Sequence, residues 1–578
     1  MITQQKDTLR GWLTSGDLWI WLNAAAVGIS IAAVGGLLGL IAARGLAHFW
    51  PADIAQISFT SVTGEAQLAV GEIVESESVD VAQYRDAMGD QSARPDSEAA
   101  VERWLIKTGN RKEAAPDFQW IFTHRITDVR YPPEQGVFER LEWGNAYGEL
   151  VAVLESGTPI AELAPHTESS QNSTEVASLW QEFLARLDRV SELRARIHDV
   201  EDGEFNSINY ELERVRLSRR GLELDASITA AELAGRSEAL DAREAALHER
   251  YTEAETQLAA LIRQLERDAV VVQISTGARI TTKLSDIVRA WRPNQMSWLD
   301  KTAHYFRTLW LFLTEDPREA NTEGGIFPAI FGTVLMVLLM SLLVTPLGVI
   351  AAVYLREYAR QGLFVRLIRI AVNNLAGVPS IVYGVFGLGF FVYFIGGNLD
   401  QLFFEAALPA PTFGTPGLMW ASLTLALLTV PVVIVSTEEG LTRIPRSLRE
   451  GSMALGATRA ETLFKVVLPI ASPSILTGVI LAVARAAGEV APLMLVGVVK
   501  LAPTLPLDGN FPFLHLERKF MHLGFHIYDV GFQSPNVEAA RPLVFATAFL
   551  LVLIILILNL TAIMLRTRLE NRYRGVEG

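Results

Sequence analysis

Arg485 and Glu489 stand inside an otherwise apolar run, Ser474–Val499, four residues apart and so on one face of a helix. An ionised side chain at bilayer depth costs about 2.5–3.5 kcal/mol on insertion scales, so such residues face a bundle interior or an aqueous path. A guanidinium offers planar donors that bind two oxygens at once, which suits an oxyanion. Two readings of the pair follow. Either Arg485 borders an anion path with Glu489 holding or releasing it, or the two form a buried ion pair that only fixes helix packing.

A second constellation lies just before that run. Residues 450–469 read EGSMALGATRAETLFKVVLP, a polar and basic segment between two apolar stretches. Glu450 opens it, Gly451 and Ser452 are small, Gly456 follows, and Val466, Leu468 and Pro469 close it. Gly456 is expected to end one short helix so that a second can cross it. The spacing resembles the EAA loop of ABC-transporter permeases, where Glu-Ala-Ala, Gly, Ile and Leu-Pro stand in the same register. The resemblance implies a coupling loop, here 440–469, that grips a separate ATPase, with Glu450 and Arg459 as its polar contacts. Gly451 and Ser452 replace the two alanines. An ordinary basic loop is the alternative.

The elements that must position these residues are membrane helices. The 578-residue chain is 50% apolar with a mean hydropathy of +0.26, too apolar for an ordinary soluble protein. Six runs of about 20 residues carry almost no charge: Leu18–Ala43, Ile330–Leu355, Val378–Gly396, Leu418–Thr437, Ser474–Val499 and Leu543–Leu565. The first exceeds the length of a signal-peptide core and reads as a retained anchor. Basic residues cluster in alternate connections: Arg356, Arg360, Arg366 and Arg369, then Arg443, Arg446, Arg449, Arg459 and Lys465, then Arg566, Arg568, Arg572 and Arg574. By the positive-inside rule both termini (1–17 at the start) and the 450–469 loop are cytoplasmic, and 44–325 lies outside a bacterial inner membrane.

That outer insert divides by pattern. Residues 54–165 hold short β-like runs, among them IAQISFTSV, FQWIFTHRITDVRY and GELVAVLES, around an acidic loop at 76–98. Residues 175–268 have helical periodicity, with Val190, Leu193, Ile197 and Val200 on one seam and Leu247, Tyr251, Ala254, Leu258, Leu261 and Leu265 on the other. A coiled-coil hairpin is expected, turning at EDGEF, 201–205, with Gly221 and Gly235 weakening its second helix. Two further strands at 269–285 suggest one β domain with the hairpin inserted. Residues 300–316 are amphipathic and read as interfacial. The fold class is thus an α-helical polytopic membrane protein with an inserted α+β domain.

Longer stretches carry a narrower resemblance: NTEGGIFPAIFGT at 321–333, TPLGVIAAVYLREYA at 345–359, NLAGVPSIVYGVFGLGF at 374–390, PVVIVSTEEGLTRIPRSLREGSMALGAT at 431–458 and LTGVILAVARAAGEVAPLMLVG at 476–497. These resemble the PstA-type permease of the phosphate-specific ABC importer over about 260 residues, 310 to the end; the resemblance implies a type I permease fold with six spans, the last five in a permease domain at 326–578. The resemblance implies a second, PstC-like permease, a homodimeric PstB-like ATPase, a PstS-like phosphate-binding protein and a PhoU-like regulator as partners, besides membrane lipid. Another oxyanion, sulfate or molybdate, is the nearest alternative cargo; an envelope-tethering or sensor scaffold is the rival of a different class.

No G-x-x-x-x-G-K-[ST] occurs, so ATP and Mg belong to the partner ATPase, no residue is assigned a catalytic role and no cofactor is expected on this chain. There is no cysteine, which excludes thiolate metal sites. His515, His522 and His526 read as interfacial rather than as metal ligands. Nothing points to nucleic acid.

Overall fold

The computed structural model describes residues 17–61, 64–80, 100–112, 116–163, 173–534 and 537–574; most of the expected N-terminal segment 1–17 lies outside them. Among the described residues six helices are long and apolar enough to cross a membrane: Leu18–Ala47, Phe327–Tyr358, Ser380–Phe403, Leu418–Arg443, Arg459–Ala487 and Ala540–Arg568. Leu–Ala–Val-rich composition with few charges makes them helices, since in hydrocarbon a single segment satisfies its own backbone only as a helix.

Helix α1 (Asp17–Ala47) crosses first, and between it and the second span sits the insert. Strands β1 (Ile54–Thr60), β2 (Ala66–Val79), β3 (Val101–Lys107), β4 (Phe118–Phe122) and β5 (Ile126–Arg130) form an antiparallel sheet in the order β4-β3-β2-β1-β5. Strand β2 runs into the acidic stretch expected to be a loop, because Ser76, Glu77 and Ser78 pair with Trp104, Arg103 and Glu102 and Arg103 closes on Glu77 at 2.7 Å. The remainder of that stretch, 81–99, is outside the described residues. A second sheet joins β6 (Gln135–Arg140), β7 (Asn145–Glu155) and β8 (Thr158–Glu162) to β9 (Asp268–Gln273), β10 (Arg279–Lys283) and β11 (Ile287–Trp291), which come after the helical region. The insert therefore has two sheets where the sequence suggested one β unit. Ile54, Val70, Val137 and Tyr147 pack between them.

The helical region leaves from β8 and returns into β9. Helix α2 (Ser173–His198) continues through a π-helical turn, Asp199–Phe205, into α3 (Asn206–Leu224), and α4 (Ala230–Leu265) runs back. The turn is therefore not at EDGEF, which holds one glycine in helical conformation and no proline. It lies at 225–229, where Asp225 accepts from Ser227 and Thr229 forms a capping box with Glu232. Leu193, Val200, Leu247, Ala254 and Leu261 are buried together, whereas Val190 packs with the second sheet and Tyr251 stays exposed. At the base, Arg186 and Arg189 from α2 and Arg267 all reach the fully buried Asp268 within 2.8–2.9 Å.

Helix α5 (Trp298–Thr314), capped by Ser297 and Asp300, leads to the membrane half. There α6 (Phe327–Val353) crosses, α7 (Leu363–Leu375) lies outside the spans, and α8 (Ser380–Phe386) and α9 (Gly397–Phe403) are joined by a π-helical segment into the third span. Helix α10 (Leu418–Arg443) is the hub: two thirds of its most apolar window is buried, mainly against α6 and the fifth span. After it come α11 (Arg446–Ala454), α12 (Arg459–Thr462), α13 (Leu468–Ala487), α14 (Leu493–Val496), α15 (Leu523–Phe532) and α16 (Val537–Arg574). The fifth span differs most from expectation. It starts at Arg459, because a π-helical turn at Leu463–Val467 fuses α12 to α13, and it ends at Ala487 rather than Val499. Gly488 and Pro492 interrupt it there.

Candidate functional site: a charged pair at the end of the fifth span and the loop that starts it

The end of α13 sets the geometry of the first pair. Arg485 lies in its last turn, and Glu489 lies beyond its end, its N–H donating to the Ala486 carbonyl at 3.2 Å. The two were expected on one continuous helix face; the glycine at 488 removes the helix beneath Glu489. The side chains still meet, Arg485 Nε to Glu489 Oε1 at 3.6 Å, the arginine 34% and the glutamate 20% exposed. A pair at that distance and exposure is loosely closed, with donors of the guanidinium left for another oxygen. Neighbouring surfaces are small and tight. A Cβ on Gly384 would come within 2.7 Å of Pro492, and one on Gly387 within 2.3 Å of the Thr424 hydroxyl. Gly389, by contrast, faces open space. The hydroxyls of Ser422, Thr424 and Thr437 on α10 are buried with no hydrogen-bond partner among the described residues.

The loop before the span is built from two short helices. Helix α11 ends where Gly456 takes φ +92°, a conformation an L side chain rarely adopts, and Gly456 N–H closes on the Met453 carbonyl at 3.0 Å. Thr458 then caps α12 with Glu461 in a reciprocal capping box. Ser452 Oγ and Thr462 Oγ1 lie 3.0 Å apart and hold the two helices together; the small residues at 451 and 452 leave room for this. Leu468 packs on the apolar cluster of Val353, Leu441, Ile444, Leu463 and Val467, with Pro469 following it in the first turn of α13. Arg449 ties the loop to the second span, donating to Glu357 at 2.9 Å and to the Leu441 and Ile444 carbonyls.

Glu450, Gly451 and Arg459 are exposed, and neither charge is engaged by another described side chain. Sequence reasoning named these polar residues and missed the apolar ones beside them. Leu455 is 91% exposed, and Leu448, Met453 and Phe464 also face outward. The capping box was legible as Thr458-x-x-Glu461.

The histidines correct an expectation. His515, His522 and His526 are not interfacial but buried. His522 Nδ1 accepts from the Gly524 N–H at 3.1 Å, and Leu523 N–H donates to Thr333 on α6. Burial pulls both His522 and His526 down to about 4, so they stand neutral. Nearby, Asn321 and Lys500 converge on the buried Asp529, each at 3.1 Å. Among the described residues no group of histidines and carboxylates has metal-site geometry.

Comparison with known proteins follows this anatomy. Residues 344–575 match the family model of the binding-protein-dependent transport system inner membrane component. The phosphate transport system permease protein PstA 1 of Mycobacterium tuberculosis is 35% identical over 256 residues, covering 43% of this chain and 72% of that protein. PstA of Yersinia pestis is 34% identical over 44% of this chain and 77% of its own length, and PstA of Mycobacterium leprae 39% identical over 33% and 58%. The chain belongs to the PstA-type permease family. Its matches thus span between 58% and 77% of those relatives' lengths. The family model covers the span end and the loop described above and none of the insert. A chain of the inward-facing MetNI methionine ABC transporter overlays 46% of this one at 18% identity with a TM-score of 0.31, which adds nothing to the sequence relatives.

Proposed function

We propose that this chain is the membrane subunit of an ATP-driven importer of inorganic phosphate. The observation that carries the reading is the match of 344–575 to a transport-permease family together with relatives at 34–39% identity that are phosphate permeases. A similar second permease, a dimeric ATPase, a phosphate-binding protein and a PhoU-like regulator complete the machine, and the ATPase carries the ATP and Mg.

Basic residues put the 440–469 loop and both termini on the cytoplasmic side and residues 44–325 outside. The exposed Leu448, Met453, Leu455 and Phe464 form the apolar centre of the ATPase contact, with Glu450 and Arg459 at its polar edge. Gly456 and the Ser452–Thr462 contact keep this two-helix unit rigid, so that ATPase closure reaches α13, with which α12 is fused, as a push on one body. At the other end of that same span Arg485 receives the anion. Its loose pairing with Glu489 supplies an exchangeable counter-charge: phosphate replaces the carboxylate on the guanidinium as the path opens and yields it again as the path closes.

Uptake of labelled phosphate by proteoliposomes holding the whole complex tests the reading. ATP-dependent uptake displaced by unlabelled phosphate and not by sulfate or molybdate is expected. Equal displacement by sulfate or molybdate would move the cargo to another oxyanion.

A further inference from the structure

A cavity of about 650 Å³ lies where the insert meets the membrane half. Its volume is within the range of about 300–1,000 Å³ typical of ligand sites, and such sites favour junctions between domains. Its walls come from the end of α1, the β2–β3 ladder, α5 and the start of α16. Glu72 and Lys107 stand directly opposite each other across the β2–β3 ladder, and both face the cavity. Glu323 lines it as well. No ion pair joins Lys107 to Glu72 or Glu323 among the described residues, although each acts on the others electrostatically.

The other charges on the wall are mostly spent. Glu139 is held by Arg289 and Arg318 at 2.6 and 2.5 Å, and Arg541 lies 3.9 Å from Glu75. Burial draws His304 down to about 4 and leaves it neutral. What faces a guest is a dipolar set: two carboxyl groups, Glu323 and Glu72, the latter also within reach of the Tyr147 hydroxyl, and the cations Lys107 and Arg44, with Glu75, Arg541 and Glu538 completing the lining. Trp50, Trp291 and Phe545 supply apolar wall around it.

The cavity's membrane side is the crossing of α1 and α16. A Cβ on Gly45 would sit 2.7 Å from the Ala546 backbone, and the Arg44 guanidinium lies 6.0 Å from the Phe545 ring. Below the crossing, no residue in the most apolar window of α1 is buried, so acyl chains have an apolar track that starts at the cavity mouth. A molecule that carries both charge signs at one end and hydrocarbon at the other fits all three features.

We propose that this cavity binds the head group of a zwitterionic phospholipid, its ammonium on Glu72 and Glu323 and its phosphate on Lys107 and Arg44. Phosphoethanolamine is the head group of choice, because a primary ammonium donates to two carboxylates where a quaternary one donates to none. The lipid then acts as a wedge between anchor, insert and last span.

The full chain, stripped of lipid in detergent and exposed to equal amounts of phosphatidylethanolamine, phosphatidylcholine and phosphatidylglycerol, is washed and weighed by native mass spectrometry. Phosphatidylethanolamine is expected to be retained at least tenfold over the other two. Lys107→Gln combined with Glu323→Gln abolishes the preference. Thr308→Trp, which narrows the cavity and leaves every charge in place, weakens retention at least tenfold, so the reading does not depend on the buried-charge variant folding. Equal retention of the three lipids, or a preference untouched by all of these variants, overturns the proposal. Soluble phosphoethanolamine provides the last arm: binding as tight as that of the lipid would assign the site to a free zwitterion and overturn the lipid assignment.

Discussion

The two halves of this chain handle charge in opposite ways. In the insert, the buried charges away from the cavity are closed into networks. Asp268 is fully buried and accepts from three arginines, and Glu139 is clamped between Arg289 and Arg318. At the end of the fifth span engagement is loose: Arg485 and Glu489 approach only to 3.6 Å, and α10 buries three hydroxyls with no hydrogen-bond partner among the described residues. The reason is what each half can spend charge on. A domain in water gains specificity from closed ion networks, and each closed network is inert. A span carries the cost of an ion only where the ion is used, and a saturated guanidinium could not bind a passing anion.

Breaking this contrast at its sharpest point gives the largest effect. Arg485→Gln is expected to lower phosphate uptake more than a hundredfold while the ATPase still copurifies and hydrolyses ATP; uptake assays and pull-down read the two separately. Asp268→Ala removes the acceptor shared by three arginines, which keep Glu155, Glu182 and the Gln264 carbonyl, and is expected to cost the insert about 1.5–3 kcal/mol, read by denaturation of the full chain, with uptake per folded complex changed less than twofold. Gly456→Val forces a branched side chain into a left-handed turn, at about 1–3 kcal/mol of local strain. It should uncouple ATP hydrolysis from uptake, seen as hydrolysis that no longer responds to phosphate.

Glu323 tests the insert at the cavity, where its charges are left unpaired. Burial, ahead of the opposing pull of Lys107, raises it to about 7, with Glu139 and Glu319 adding to the rise and Arg318 opposing it. The folded chain therefore holds a proton that the unfolded chain releases above its ordinary value of 4.5. Stability from this group is complete below pH 4.5 and is lost as pH rises through 7. Glu323→Gln should stabilise the chain by about 1–2 kcal/mol at pH 8, the figure kept low because the side chain lines a cavity, and by nothing at pH 4. Thr458→Ala, which removes a cap at the surface, should cost about 1 kcal/mol and leave uptake nearly intact.

How much of this was legible depended on range. Periodicity and composition are local, so the six spans, the short helices around Gly456 and the pairing of Arg485 with Glu489 could be read directly. What went astray turned on small residues in competition. Gly203 inside EDGEF stayed helical because nothing there offered the chain an alternative, while Thr229 and Glu232 gave the true turn a cap. Gly488 and Pro492 ended the fifth span within a stretch that hydropathy alone runs through to Val499. The division of the strands into two sheets depends on β7 pairing with β9 across the whole helical region. The depth of His522 and His526 depends on contact with α6, far away in sequence. Neither leaves a local trace.

The account rests on a division of labour: the spans move the anion, and the insert does not. Replacing residues 53–296 with a long flexible Gly/Ser linker and measuring labelled phosphate uptake by the assembled complex tests this most directly. Uptake that persists and is still abolished by Arg485→Gln is the predicted result. Complete loss of uptake in a complex that assembles and hydrolyses ATP normally would contradict it.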